Sequence, residues 1–248
     1  RFIKGLVDTQ DIDLNVSREM LQNNPAVAKI SKSLVGKILR ELKKVSEKNA
    51  DGYKSFWKEY GAVLKEGLYE DAERKEALLD LCRFSTNEND DPISLSGYVE
   101  KMPEKQKDIY YISAETKDQA LASPHLEGFK SKKIPVLIMT DAIDQFWLPM
   151  VGSFKEKKFT SITQGQINLD DLDEKNKDKK KDDKNEKEKK DKEYVDLVAQ
   201  LKVVLGDQVK DIRLSSKLTD SPVCLVADEG DMDIAMEQLM AQRDTNYK

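Results

Sequence analysis

The sequence predicts a mixed α/β chain: a helical region, a small and mostly parallel αβα sheet, a charged linker, and a smaller α/β domain. Three observations predict it. Apolar residues recur every three or four positions across residues 25–82, which is the helical period. Two β-rich runs, "DIYYIS" and "IPVLIMTD", then alternate with helical stretches, as expected of parallel strands covered by helices. Between residues 170 and 193 the chain collapses into Lys, Asp, Glu and Asn, with Leu172 the only apolar residue, so that stretch builds no core. The expected divisions are residues 1–167, a linker at 168–193, and a second domain at 194–248.

Residues 2–7 form a strand-like run without a nearby partner, and residues 8–13 are polar and loop-like. Ser17 reads as an N-cap, which starts a short helix over residues 18–22 and puts Arg18 at its first position. A helix start already carries about half a positive charge, so a cation there is disfavoured by roughly 0.3–1 kcal/mol. Asn24 and Pro25 then restart the chain as cap and first helical residue. Val27, Ile30, Leu34, Ile38, Leu42 and Val45 trace one stripe of a long amphipathic helix. A second helix carries Tyr53, Phe56, Trp57, Tyr60 and Leu64 and stops near Gly67; a third holds Ala77, Leu78, Leu81 and Cys82. A short fourth helix over residues 95–102 ends at Pro103.

Strands are predicted at 108–113, 134–141 and in "KKFTSIT", with helices up to about Lys132 and over "AIDQFWLPMV". After the linker, Tyr194, Leu197, Val198, Leu201, Val204 and Leu205 predict a helix ended by Gly206. Strands at 208–215 and 222–228 and a helix from Met232 complete the pattern.

Composition excludes several functions. Charged residues make up 36% and hydrophobic ones 38%, and the net charge is −5, which favours solubility and gives no case for nucleic acid. No apolar run reaches the roughly 18–20 residues that span a bilayer. Cys82 and Cys224 read as buried free thiols of a reducing compartment, so a cytoplasmic protein is expected. No stretch reads as a signal peptide, and the opening "RFIKGLVD" without an initiator methionine suggests a piece of a longer protein. His125, the one histidine, has no cysteine neighbours and predicts no zinc site. Neither a dinucleotide fingerprint nor a P-loop occurs. Asp141 and Asp144 are the only polar residues offered at strand ends, and "TDAID" reads better as a helix cap. A self-contained enzyme is not expected.

"LNVSREMLQ", "FWKEYGAVLKEGLYED", "LCRF", "SLSGYVEKMPEKQKDIYYIS", "SPHLEGFKSKKIPVLIMTDAID" and "LGDQVKDIRLSSKLTDSP" together resemble the middle segment of the ninety-kilodalton heat-shock chaperone family. The resemblance fails only in the lysine-rich linker, and "FWKEYG" with "SPHLE" looks closer to the bacterial branch. It implies an ATP-hydrolysing chaperone, homodimeric when whole, with an N-terminal ATP-binding domain that this chain lacks and dimer helices beyond its end. ATP, with its Mg2+, is then held by that missing domain, and no cofactor is expected within the chain, which is inert towards ATP alone. The matching residues are Arg18, which approaches the γ-phosphate, Gln22 beside it, and Asn15, which shapes the loop.

This explains the oddly placed arginine. A guanidinium offers a planar fork of donors suited to phosphate oxygens, and its partner arrives from another domain. The implied partners are that ATP domain and unfolded or partly folded clients. Two surfaces are candidates for clients. Phe146, Trp147 and Met150 follow the "TDAID" turn, with one aromatic expected buried and the other exposed. Met232, Met236, Leu239 and Met240 fall on one face of the last helix, and thioethers suit surfaces that adapt to many partners. The alternative from another class is a scaffold that binds protein without any catalytic duty.

Overall fold

The computed structural model describes residues 3–8, 24–89, 91–169 and 182–245. In chain order these form α1 (Pro25–Lys48), α2 (Ala50–Glu70), a 3-10 turn (Ala72–Arg74), α3 (Lys75–Leu81), β1 (Arg83–Thr86), β2 (Ile93–Ser94) and α4 (Leu95–Lys101). Next come β3 (Ile109–Ser113), α5 (Lys117–Leu121), a 3-10 turn (Pro124–Leu126), α6 (Glu127–Ser131) and β4 (Leu137–Met139). The remainder is α7 (Asp144–Val151), β5 (Ser153–Phe154), β6 (Lys157–Ser161), α8 (Asp182–Leu205), a 3-10 turn (Gly206–Gln208) and α9 (Ile234–Thr245). The fold is mixed α/β.

The described residues divide into two compact units: Arg1–Ser85 with Asn89–Glu100 and Asp141–Glu156, and Thr86–Glu88 with Lys101–Thr140 and Lys157–Lys248. The first is mainly helical. Asn24 caps α1 by accepting the Ala26 amide at 2.8 Å, and Asn49 caps α2 by accepting the Gly52 amide at 2.9 Å. Tyr53, Leu64 and Leu68 of α2 are buried, as are Leu78, Leu79 and Leu81 of α3. The Tyr53 hydroxyl donates to the Leu81 carbonyl at 2.7 Å, so a polar tip inside this core is satisfied. On α1 only Leu39 is fully buried. It sits one place off the predicted stripe, so Ile38, Leu42 and Val45 instead line a shallow apolar groove with Ile3. β1 and β2 pair antiparallel, Phe84 opposite Ile93.

The second unit is built on parallel strands. β3 pairs with β4 on one side, Ile112 opposite Ile138, and with β6 on the other, Tyr110 opposite Thr160. All three residues of β4 are buried, as its unbroken apolar run predicted. Tyr110, Ile112, Ala120, Leu126, Phe129, Val136, Ile138 and Ile162 form its core. Thr116 and Gln119 make a reciprocal capping box that starts α5. The amide of Asn87 donates to the Val136 carbonyl, while its side chain accepts from the Val136 amide at 2.7 Å.

Three strand expectations fail. Residues 3–8 are irregular, and so are 209–226, where strands at 208–215 and 222–228 were expected. What remains there is one parallel bridge between Gln164 and Ala227. Alternating apolar residues favour a strand only when a neighbouring strand covers them, and Val223 and Leu225 are 70% and 67% exposed. The last helix starts at Ile234, so Met232 lies in the turn before it. The second half of the charged stretch runs into α8 as one continuous helix. Among the described residues no helix is long and apolar enough to cross a membrane.

Candidate functional site

Asn15, Arg18 and Gln22 lie outside the described residues. The candidate client residues do not, and the structure shows what fixes each of them.

Helix α7 is set from below by a buried ionic cluster within the helical unit. Asp144 opens the helix and is fully buried. Its Oδ1 accepts the Trp147 indole N–H at 2.7 Å, and its Oδ2 accepts the Lys65 ammonium at 2.9 Å. Lys65 also donates to Asp141 Oδ2 at 2.8 Å, and its Nζ stands 4.8 Å from the centre of the Phe84 ring. Burial works against charge on Lys65, but Asp144 and Asp141 more than offset it, so its pKa lies above the ordinary lysine value. The thiol of Cys82, also fully buried, is pushed up to about 12 by desolvation. Cys224 is only half-buried, short of the sequence expectation.

This cluster decides which side chains α7 presents. Trp147 is buried with Leu148, its ring 6.1 Å from that of Phe84, so it contributes to the core and not to a surface. Phe146 is half-buried, edge-on to Tyr69 at 6.4 Å. Met150 is 56% exposed. The outward pair at this site is therefore Phe146 and Met150. Pro149, itself exposed, withholds one backbone donor inside the helix, a loss limited by its place in the last turn.

Helix α9 is set by Asp233, whose Oδ1 accepts the Ala235 amide at 3.0 Å and whose carbonyl accepts the Glu237 amide at 2.9 Å. Met240 is 38% exposed and Met232 51%, while Met236 and Leu239 are half-buried. Asp233 also accepts from the hydroxyls of Ser161 and Thr163, at 2.5 Å and 2.8 Å.

Sequence reasoning missed Lys65 and Asp233. A signal for the first existed: Trp57, Gly61, Leu64, Lys65 and Leu68 share one helical face, and a lysine on an apolar stripe calls for a buried carboxylate. Asp233 gave none beyond its capping position. No three His, Cys, Asp or Glu side chains among the described residues are placed to hold a metal ion.

Asp144 and Asp233 are thus spent on holding α7 and α9; α7 offers Phe146 and Met150 outward, and α9 offers Met240 beside Glu237 and Gln238. The Hsp90 protein family model matches residues 1–247, and the chain belongs to that family. Chaperone protein HtpG of Roseobacter denitrificans is 47% identical over 240 residues, which are 97% of this chain and 38% of that protein. HtpG of Wolbachia pipientis is 41% identical over 258 residues, all of this chain and 39% of that one. The middle domain of a Plasmodium falciparum heat shock protein matches with a TM-score of 0.52 at 33% identity, over 56% of this chain and 60% of that one. The chain thus spans under two-fifths of the length of these curated relatives.

Proposed function

We propose that this chain is the part of an ATP-dependent chaperone that completes the nucleotide site of another domain and meets client proteins on its own apolar surface. The observation that carries the reading is the family match across residues 1–247. Arg18 is the residue assigned to the γ-phosphate, with Gln22 beside it and Asn15 shaping the loop. The Arg18 guanidinium and the Gln22 carboxamide are donors suited to triphosphate oxygens. ATP and Mg2+ belong to the N-terminal domain, and the ion supplies charge neutralisation across the phosphates when bound there. Homodimer formation and a cytoplasmic location belong to the same reading.

Clients are unfolded or partly folded proteins, met at Phe146 and Met150 on α7 and at Met232, Met236, Leu239 and Met240. Exposed apolar side chains carried on a helix suit this role, because they meet apolar segments of a client directly.

The catalytic part is tested in the longer protein. Arg18→Ala is expected to lower ATP turnover by roughly tenfold or more while nucleotide affinity stays near wild type; unchanged turnover rejects the assignment. The client part is tested with Phe146→Ala/Met150→Ala and a reduced, alkylated protein that cannot refold. Affinity is expected to fall about tenfold, equivalent to 1.4 kcal/mol, with the unfolding midpoint nearly unchanged. Equal affinity removes α7 from the client surface.

A further inference from the structure

Residues 215–233 have no regular secondary structure apart from the Ala227 bridge, and several of their apolar side chains face solvent. Neither a local ladder nor apolar burial explains why the segment lies where it does. What holds it is a row of polar contacts to two short pieces of the sheet unit: the start of α6, and residues 161–165 at the exit of β6.

At α6, Glu127 Oε2 accepts the amides of Thr219, Asp220 and Ser221 at 2.8, 2.9 and 3.1 Å, and Oε1 accepts the Ser221 hydroxyl. The neighbouring Gly128 amide donates to the Lys217 carbonyl at 2.7 Å. That approach needs a glycine, since a Cβ at 128 would lie 2.7 Å from the Lys217 oxygen, a backbone atom that cannot swing aside. At the exit of β6, Lys217, 4% exposed, donates its ammonium to the carbonyls of Ile162 and Gly165 at 3.1 and 3.2 Å. Ala227 donates to the Thr163 carbonyl at 3.0 Å and accepts from the Gly165 amide at 2.9 Å. Gln164 reaches the Asp231 carbonyl at 2.7 Å. Asp233 closes the row on Ser161 and Thr163, whose hydroxyls lie 2.7 Å apart.

We propose that Glu127 and Asp233 are the two ends of one polar clasp, which docks residues 215–233 and the start of α9 on the sheet unit as a single cooperative piece. The geometry dictates the coupling. Lys217, Ala227, Asp231 and Asp233 all land on the same five residues, 161–165, so displacing one contact moves the receptor of the others. Lys217 joins the two ends, because its backbone is gripped at α6 and its side chain at β6. A segment held by hydrogen bonds with little apolar burial also lies at the low end of local stability, where opening occurs without global unfolding. Opening the clasp therefore frees the loop and the methionine-bearing helix together. This inference does not rest on the client reading.

Linkage makes the coupling reciprocal, and amide-resolved hydrogen exchange on the 248-residue chain reads it. Glu127→Gln weakens one end and Asp233→Asn the other; Gly128→Ala opens the clasp by steric contact with no change of charge. Each is expected to speed exchange tenfold or more at both ends, namely at Thr219, Asp220 and Ser221 and at Gly165 and Ala227. Amides of Ile112 and Ile138 in the sheet are expected to keep their wild-type rates. If Glu127→Gln speeds only 219–221, or Asp233→Asn only the first turn of α9, the contacts are independent and the proposal is overturned. Should a variant also expose the sheet amides, Ser221→Ala decides, because it removes one half-buried hydroxyl. A smaller acceleration at both ends supports the clasp, and an unchanged far end overturns it.

Discussion

At the scale of single residues, Lys65 and Asp144 test how much a buried ion pair holds in place. Replacing such a pair with apolar groups is often nearly neutral, whereas removing one partner strands a charge and costs about 3–5 kcal/mol. Lys65→Met leaves Asp144 facing Trp147 and Asp141 without its cation, so urea unfolding followed by tryptophan fluorescence is expected to show a loss of that size. Both tryptophans, Trp57 and Trp147, lie in the helical unit, which makes the signal local. Lys65→Met with Asp144→Asn is expected to recover most of the loss, because an amide oxygen still accepts the indole N–H. Lys217 differs, since no carboxylate touches its amine. Burial pulls its pKa down to about 8, so holding it charged destabilises the docked state below that pH, and the penalty fades as pH rises from about 8 towards the unfolded lysine value of about 10.4. Cys224 opposes this, its thiol being pushed up by burial, and His125 faces the same amine with its pKa pulled down, burial first and Lys217 second. In a Cys224→Ala background, the thermal midpoint is therefore expected to rise between pH 8 and 10 relative to a Lys217→Met variant of the same background. Parallel pH curves for the two would contradict that sign.

At the scale of elements, what was legible followed burial on a helical or strand period. β3 and β4 were readable because their runs are apolar on both faces, α1 and α2 because their apolar period persists over several turns, and the seven-residue α3 from its cluster of Ala77, Leu78 and Leu81. β1 and β2 were not, since a four-residue strand with a two-residue partner leaves too little pattern. Strands expected at 208–215 and 222–228 erred the other way: β propensity is present, yet apart from the Gln164–Ala227 bridge no strand pairs with those residues, and polar contacts hold the backbone from Lys217 onward. The cap at Asn24 was legible from the Asn-Pro pair, whereas those at Asn49 and Thr116 were not read, and the last yields a measurable prediction. Thr116→Ala removes the acceptor of the Gln119 amide and leaves Gln119 without its reciprocal geometry. The sheet unit is expected to lose about 1 kcal/mol, read by exchange of the Ile112 and Ile138 amides. Thr116→Ser, which keeps the oxygen, is expected to lose much less.

At the scale of the whole molecule, the sequence carried the family, and it left open which of the two aromatics on α7 is buried. Arg18 stood out in the sequence by its charge at a predicted helix start. Which of Phe146 and Trp147 turns inward depended on Lys65, 79 residues from Asp144 along the chain, a pairing that no local period encodes. The proposed division of labour predicts complementation between separate pieces. On that proposal, an isolated ATP-binding domain of the same family supplies nucleotide and metal, and Arg18 of this chain supplies the cation at the γ-phosphate. Adding this chain is expected to raise its ATP turnover in a saturable way, at concentrations high enough to replace the missing covalent link. If the guanidinium meets the developing phosphoryl charge as proposed, Arg18→Ala abolishes the rise and Gln22→Ala reduces it. Phe146→Ala/Met150→Ala is expected to leave it intact, since the proposal gives those residues no part at the nucleotide. Stimulation that survives Arg18→Ala would mean that the chain acts by holding the ATP domain in shape, and the arginine would lose its assigned role.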